Sequence, residues 1–276
     1  MNKKKTSIIF GLLGIILVAA IAFLIYSANR KPADSSKNTS QTAQSTAKAA
    51  DYPTNYTLHP AVKNSTEALN DLALPQLSTT VASDEAEVQI QTTAGNIDIK
   101  LFPKLAPNAV QNFLVLAKHD YYKNNEFFRV IKDFMIQTGD PSNQGTGSAS
   151  IFGGKPFDTE ISNQLYNIRG ALSLANTGQP TSSSSQFFIV QNSQDMTSQI
   201  QDKSKYPQKI IDAYKKGGYP SLDGSYTVFG QVISGMDVVD KIASAEVQAN
   251  STSGEQSSPV HPEKITGVKI IKDWKF

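Results

Sequence analysis

From Glu85 the chain alternates apolar and polar residues, AEVQIQTTAGNIDIKLFP, on both sides of Ala94-Gly95-Asn96. Period two flanking a glycine turn predicts a β-hairpin. The pattern then lengthens. In APNAVQNFLVLAKHDYY, Val110, Phe113, Leu114 and Ala117 recur at helical spacing, and Pro107 suits a first-turn position. Short apolar runs at 126–131, 134–138, 170–174, 186–190 and 226–232 predict strands. SGMDVVDKIASA predicts a second helix with Ser234 as its candidate cap, and KITGVKIIKDW predicts one more strand. Many short strands and two helices predict a mainly β domain, a barrel with helices over its open ends. The sequence contains no internal repeat.

One stretch carries charge where a core strand needs none. In FFRVIKDFMIQTGDP, period two places Phe127, Arg129 and Ile131 on one face. After a turn at Lys132-Asp133, Met135 and Gln137 share a face. An arginine and an amide among apolar residues suit a strand that lines an apolar groove with a few polar handles.

The N-terminal part has a different character. Residues 8–26 form an uncharged run behind Lys3, Lys4 and Lys5. As a helix this run is about 28 Å long, close to the thickness of a bilayer core. It exceeds the apolar region of a secretory signal, and Tyr26 spoils the small-residue cleavage pattern in FLIYSAN. An uncleaved single-pass membrane anchor is expected, with residues 1–7 a cytoplasmic basic tail and the remainder of the chain extracellular. Secretion after signal cleavage is the alternative. Residues 33–50 hold no large aliphatic or aromatic side chain and read as a tether. Residues 27–82 as a whole read as a Ser/Thr/Ala/Gln-rich linker and stalk, partly docked on the main domain, with a short helix in STEALNDLAL capped by Ser65 or Thr66. Residues 83–276 are the folded domain.

Composition narrows the chemistry. The chain has no cysteine, so disulfides, thiolate nucleophiles and Cys-based zinc sites are excluded. A net charge of +2, with no basic block beyond Lys3-Lys4-Lys5, argues against nucleic acid as a partner. His59, His119 and His261 lack the convergent partners of a triad or a metal site. Ser182 to Ser185 lack a nucleophile-elbow pattern, and GTGSASIFGGKP lacks the Lys-Ser/Thr ending of a phosphate loop. What remains are segments rich in apolar and amide side chains.

Those segments, in order, are FFRVIKDFMIQTGDP, GTGSASIFGGKPFDTE, GALSLANTG, SQFFIV and LDGSYTVFGQV. Together they resemble the cyclophilin family of peptidyl-prolyl cis-trans isomerases, from about Glu85 to the C-terminus. The resemblance implies a closed eight-stranded antiparallel β-barrel capped by two α-helices, with a groove on its outer face. It implies Arg129 as the catalytic residue. Phe134, Met135, Phe188 and Leu222 resemble the walls of the proline pocket. Gln137 resembles the glutamine that meets the substrate backbone, Ala175 and Asn176 the pair that meets the residues before proline, and Gln186 a further pocket residue. Tyr226 stands at a position that is His in many eukaryotic members and Tyr in many bacterial ones. No metal or cofactor is implied. The implied partners are proline-containing, unfolded or partly folded exported proteins. A Pro-segment-binding chaperone or scaffold with little turnover is the alternative, and nothing suggests more than a monomer.

The sequence departs from the family pattern in four places. Ser221 replaces a tryptophan common in eukaryotic members, Phe128 replaces a common histidine, and Thr177 replaces a small pocket residue. Residues 192–220 form a longer insertion, in which Ile210, Ile211 and Tyr214 have helical spacing and Gly217-Gly218 stops the helix. A helical flap beside the groove and an ornament packed on the barrel are both compatible with it.

Overall fold

The computed structural model describes residues 66–276. The expected anchor at 8–26, the tether and the first part of the stalk lie outside the described residues. Among the described residues no helix is long and apolar enough to cross a membrane.

The predicted hairpin forms as β1 (Ala86–Thr92) and β2 (Gly95–Leu101), and β1 alternates strictly between buried and half-buried positions. Its turn is tied by the Thr92 hydroxyl, which donates to the Gly95 carbonyl (2.7 Å) and accepts from the N–H groups of Ala94 and Gly95. The short apolar runs become β3 (Arg129–Ile131), β4 (Met135–Thr138), β6 (Ala171–Leu174), β8 (Phe187–Val190) and β9 (Val228–Ser234), and the last strand is β12 (Ile265–Lys272). Two small ladders had no predicted counterpart: β5 (Phe157–Asp158) with β7 (Thr181–Ser183), and β10 (Val247–Ala249) with β11 (Gln256–Pro259).

The other eight strands form one antiparallel sheet in the order β12-β1-β2-β9-β6-β8-β4-β3. The expected closed barrel is therefore corrected to an open one. β12 and β3 are not paired with each other. A short seam lies between them, in which Asn124 N–H donates to Ile265 O, Ile265 N–H to Asn125 O and Phe127 N–H to Glu263 O. The physical reason is local. Asp120 and Asn124 sit at positive φ (54° and 67°), so the chain turns repeatedly before it extends. Only three residues are left for β3. The same turn corrects the expected face of Phe127. Its ring lies in the barrel interior with Val130, while Arg129 and Ile131 point to the outer face.

The interior is filled by Val88, Ile90, Ile97 and Ile99 of the hairpin, by Leu172, Phe187, Ile189 and Phe229, and by the two helices predicted as caps. α1 (Thr66–Asn70) belongs to the stalk. The first capping helix is α2 (Pro107–Lys118). It inserts Phe113 between Tyr122, Phe187 and Phe229 at ring separations of 5.0–5.6 Å. α3 (Gln208–Tyr214) lies in the insertion, and α4 (Met236–Ala243) is the second capping helix. Gly235, at φ 89°, caps α4. Ser234 ends β9 instead, because the tight strand-to-helix turn needs a residue without a Cβ.

α2 has no side-chain cap of its own. The buried Glu160 carboxylate supplies one from across the fold, accepting from Asn108 N–H (3.0 Å) and Ala109 N–H (2.9 Å). Burial pushes its carboxyl up to about 7, against the opposing effect of those two donors. The native state therefore holds a proton that the unfolded chain releases near pH 4.5. Stability is expected to fall as pH rises from about 4.5 to about 7, by about 3 kcal/mol, and then to level off. Urea melts across that range check this against Glu160→Gln, which should flatten the dependence. An unchanged slope in the variant would reject it.

Residues 66–82 pack on the barrel. Leu69 is buried. The Gln76 side chain pairs with the backbone of Tyr166 in both directions (2.7 and 2.9 Å) and donates to Gln231 Oε1. At the end of this segment Glu85 meets Lys100 at 3.2 Å, and both side chains are buried. In the insertion, Ile210, Ile211 and Tyr214 form a separate small core with Tyr166, Ile168 and Ile200. The Asn70 side chain accepts from the first N–H of α3.

Candidate functional site

A second apolar cluster lies on the outer face of the sheet. Met135, Phe188 and Leu222 are among its buried members, and Phe134, Ala175 and Tyr226 are partly buried around them. Strand register explains the grouping. Arg129 pairs with Gln137, Gln137 with Phe188, and Phe188 with Ser173, so one row crosses β3, β4, β8 and β6. The next row, Ile131, Met135 and Val190, presents apolar side chains on the same face. The Tyr226 ring meets the Phe188 ring edge-on at 5.5 Å.

The polar residues form a chain along one lip. Arg129 Nη1 donates to Gln137 Oε1 (3.2 Å), and Gln137 Nε2 donates to Gln186 Oε1 (3.1 Å). Gln186 Nε2 donates in turn to the carbonyls of Gly147 (2.8 Å) and Gly145 (3.2 Å). Gln186 reaches Gln137 because β4 is followed by Gly139, at φ 89°. A Cβ there would stand 2.4 Å from the Ser185 carbonyl oxygen, so only glycine permits this approach. On the opposite lip, Ala175 N–H donates to Gln186 O (2.9 Å), and Asn176 Nδ2 donates to Ser225 O (2.8 Å). The apolar candidates thus share one cluster, Arg129, Gln137 and Gln186 are linked beside it, and Asn176 is tied to the residue before Tyr226.

Two neighbours had gone unread in the sequence. Tyr219, at the end of the insertion, packs on Phe134 with ring centroids 4.4 Å apart. The insertion therefore touches the pocket wall while the rest of it packs on the barrel. An aromatic residue three positions before Leu222 was the available signal. The other is Glu255, beside β11. It accepts from Arg129 Nε (2.7 Å) and Nη2 (2.9 Å), a two-pronged ion pair with both side chains about 28% exposed. These hydrogen bonds hold the Glu255 carboxyl below the usual glutamate range, against the effect of burial. No local pattern marks this residue, because its partner lies 126 positions away. Met135 Sδ, a weak acceptor, stands 3.7 Å from Arg129 Nη1.

The single-residue departures from the family pattern lie at the surface or in loops. Ser221 is exposed in the turn at Pro220–Leu222, and Thr177 is exposed in a loop. The Phe128 ring lies against Gly145, in the loop that Gln186 grips.

Comparison with known proteins agrees with this geometry. Residues 87–270 match the family model described as cyclophilin type peptidyl-prolyl cis-trans isomerase/CLD. A protein of Staphylococcus aureus (strain USA300), named as a peptidyl-prolyl cis-trans isomerase, is 45% identical over 200 residues, covering 71% of this chain and 97% of its own. One of Staphylococcus saprophyticus with the same name is 43% identical over 202 residues, covering 72% and 98%. The crystal structure of a cyclophilin type isomerase from Cryptosporidium parvum superposes with a TM-score of 0.55 at 30% identity, covering 68% of this chain and 99% of that one. The same protein solved in the presence of the dipeptide Ala-Pro gives a TM-score of 0.54. With a family match over more than half its length and relatives covered almost end to end, the chain belongs to the cyclophilin-type peptidyl-prolyl cis-trans isomerases.

Proposed function

We propose that this isomerase turns X-Pro bonds in exported proteins outside the membrane, with Arg129 stabilising the twisted amide. The observation that carries the reading is the placement of Arg129. Its guanidinium lies at the lip of an apolar pocket, 6.0 Å from the Phe134 ring centroid. Glu255 and Gln137 engage three of its five N–H groups, which leaves donor capacity at the pocket.

The chemistry needs no more than this. Rotation about the X-Pro bond breaks amide resonance, against a barrier of about 18–20 kcal/mol. In the twisted state the proline nitrogen becomes pyramidal and gains a lone pair that the planar amide lacks. A fixed donor that bonds this nitrogen stabilises the transition state over both ground states. Met135, Phe188, Leu222 and Phe134 hold the proline ring. Gln137, Gln186 and Asn176 offer amide groups to the flanking backbone, and Ala175 and Tyr226 close the rim. Arginine stays protonated and is no base, and rotation requires none.

The extracellular setting rests on the uncharged run at 8–26 behind three lysines. Uncatalysed isomerisation takes tens to hundreds of seconds and limits late folding steps. The test is cis–trans exchange in an Ala-Pro peptide, followed by NMR with the full-length chain in mild detergent, beside refolding of a proline-limited exported protein. Acceleration of both is expected. Peptide binding without faster exchange would replace this reading with a proline-binding module.

A further inference from the structure

We infer that Glu255 is a positioning residue for Arg129, fixing the guanidinium so that its remaining N–H groups meet the pocket. The inference rests on the role given to Arg129 above. Arg129 opens a three-residue strand at the open edge of the sheet, where backbone on one side only restrains it. A long side chain there is spread over many rotamers, and ordering it costs conformational entropy. Glu255 takes the Nε and Nη2 edge of the guanidinium, and Gln137 takes Nη1 from the other side. Two anchors, one on β4 and one in the turn before β11, set both its plane and its rotation. The entropy is then lost on folding and no longer during the reaction.

The mount of Glu255 supports this role. It closes the turn between β10 and β11, where Asn250 N–H donates to Glu255 O (2.7 Å) and Gly254 N–H to Asn250 O (2.8 Å). The Asn250 side chain accepts from Thr252 N–H and Ser253 N–H (2.9 and 3.0 Å), and Glu255 N–H donates to Ser253 Oγ. The carboxylate thus projects from a hydrogen-bonded turn on a paired ladder. Fixed supports of this kind keep reacting groups in place. An occluding carboxylate would have to tie up the whole guanidinium, whereas Glu255 takes only an Nε and an Nη2 hydrogen.

The experiment compares the full-length parent with Glu255→Ala, Glu255→Gln, Arg129→Ala and the Arg129→Ala/Glu255→Ala double variant. Exchange of an Ala-Pro peptide gives kcat and KM, and thermal melts report the fold. Glu255→Ala should lower kcat/KM on the order of tenfold, almost all of it in kcat. Glu255→Gln, which keeps one acceptor, should lose less. In the Arg129→Ala background, removing Glu255 should change nothing further. Glu255→Ala as fast as the parent or faster, beside an inactive Arg129→Ala, would overturn the inference and leave the role of Arg129 standing. So would an equal proportional loss in both backgrounds, which would mark a structural role. An Arg129→Ala variant with the parent rate would instead remove the reading on which the inference rests.

Discussion

Replacing Arg129 by alanine is expected to lower kcat/KM for an Ala-Pro peptide by about 10²–10³-fold, equivalent to about 2.7–4 kcal/mol of transition-state stabilisation. The size follows from what the substitution removes. In the proposed mechanism the guanidinium is the cationic donor to the twisted nitrogen, and the amide side chains that remain would contact the flanking backbone in every state of the bond. The fold should survive. Glu255 is 28% exposed and regains water when its partner leaves. Gln137 keeps its bond to Gln186. Arg129→Lys is the informative companion, because it keeps the charge and loses the planar fork that Glu255 and Gln137 grip. It should recover only a small part of the rate. Exchange NMR with a thermal melt reads both effects, and a parent-like rate in a folded Arg129→Ala protein would rule out the mechanism.

A larger effect on stability is expected at Lys100. This side chain is 1% exposed, and its ammonium donates to both oxygens of buried Glu85 (3.2 and 3.3 Å) and to Thr80 O (3.2 Å). Lys100→Met fills much the same volume but strands the Glu85 carboxylate inside the protein. Breaking a buried pair in this way costs about 3–5 kcal/mol. At this domain size that is on the order of 10 °C in Tm. Removing both charges should be far milder, because two apolar side chains avoid desolvating any ion. Lys100→Met with Glu85→Leu is therefore expected to melt well above Lys100→Met alone. Calorimetry of the three proteins decides it, and equal melting of the single and double variants would show that Glu85 is not the stranded partner.

Elements whose burial alternates locally were legible in the sequence. The first hairpin, both capping helices and the helical spacing of Ile210, Ile211 and Tyr214 all appear where the pattern placed them. The opening of the barrel was not legible. It depends on Asp120 and Asn124 adopting positive φ, and nothing in HDYYKNNEF specifies where extended backbone resumes. The misplaced face of Phe127 has the same origin. At the groove, periodicity alone explained why Arg129 and Gln137 accompany apolar residues. The grouping of Ala175, Asn176, Gln186, Leu222 and Tyr226 around them came from ordered family motifs, since it depends on strands far apart in the chain. Glu255 and Glu160 were invisible for that reason too. Each acts on a partner distant in sequence, and a lone glutamate in a polar turn looks like any solvated charge.

The open edge of the sheet bears on solubility. β12 offers one row of backbone groups that no strand covers along most of its length. Such a row templates the addition of extended chains, and unfolded polypeptides are what an isomerase of this kind would meet most often. Ile271 is 46% exposed on this strand, so side-chain polarity alone does not protect it. The exposed charge on the strand is Lys269, while Lys272 donates to Ala82 O and Lys264, just before the strand, pairs with Glu126. Lys269 would have to lose hydration for an incoming chain to stack there. The strand that leaves the barrel open thus carries an exposed charge at its edge, a feature that opposes strand addition.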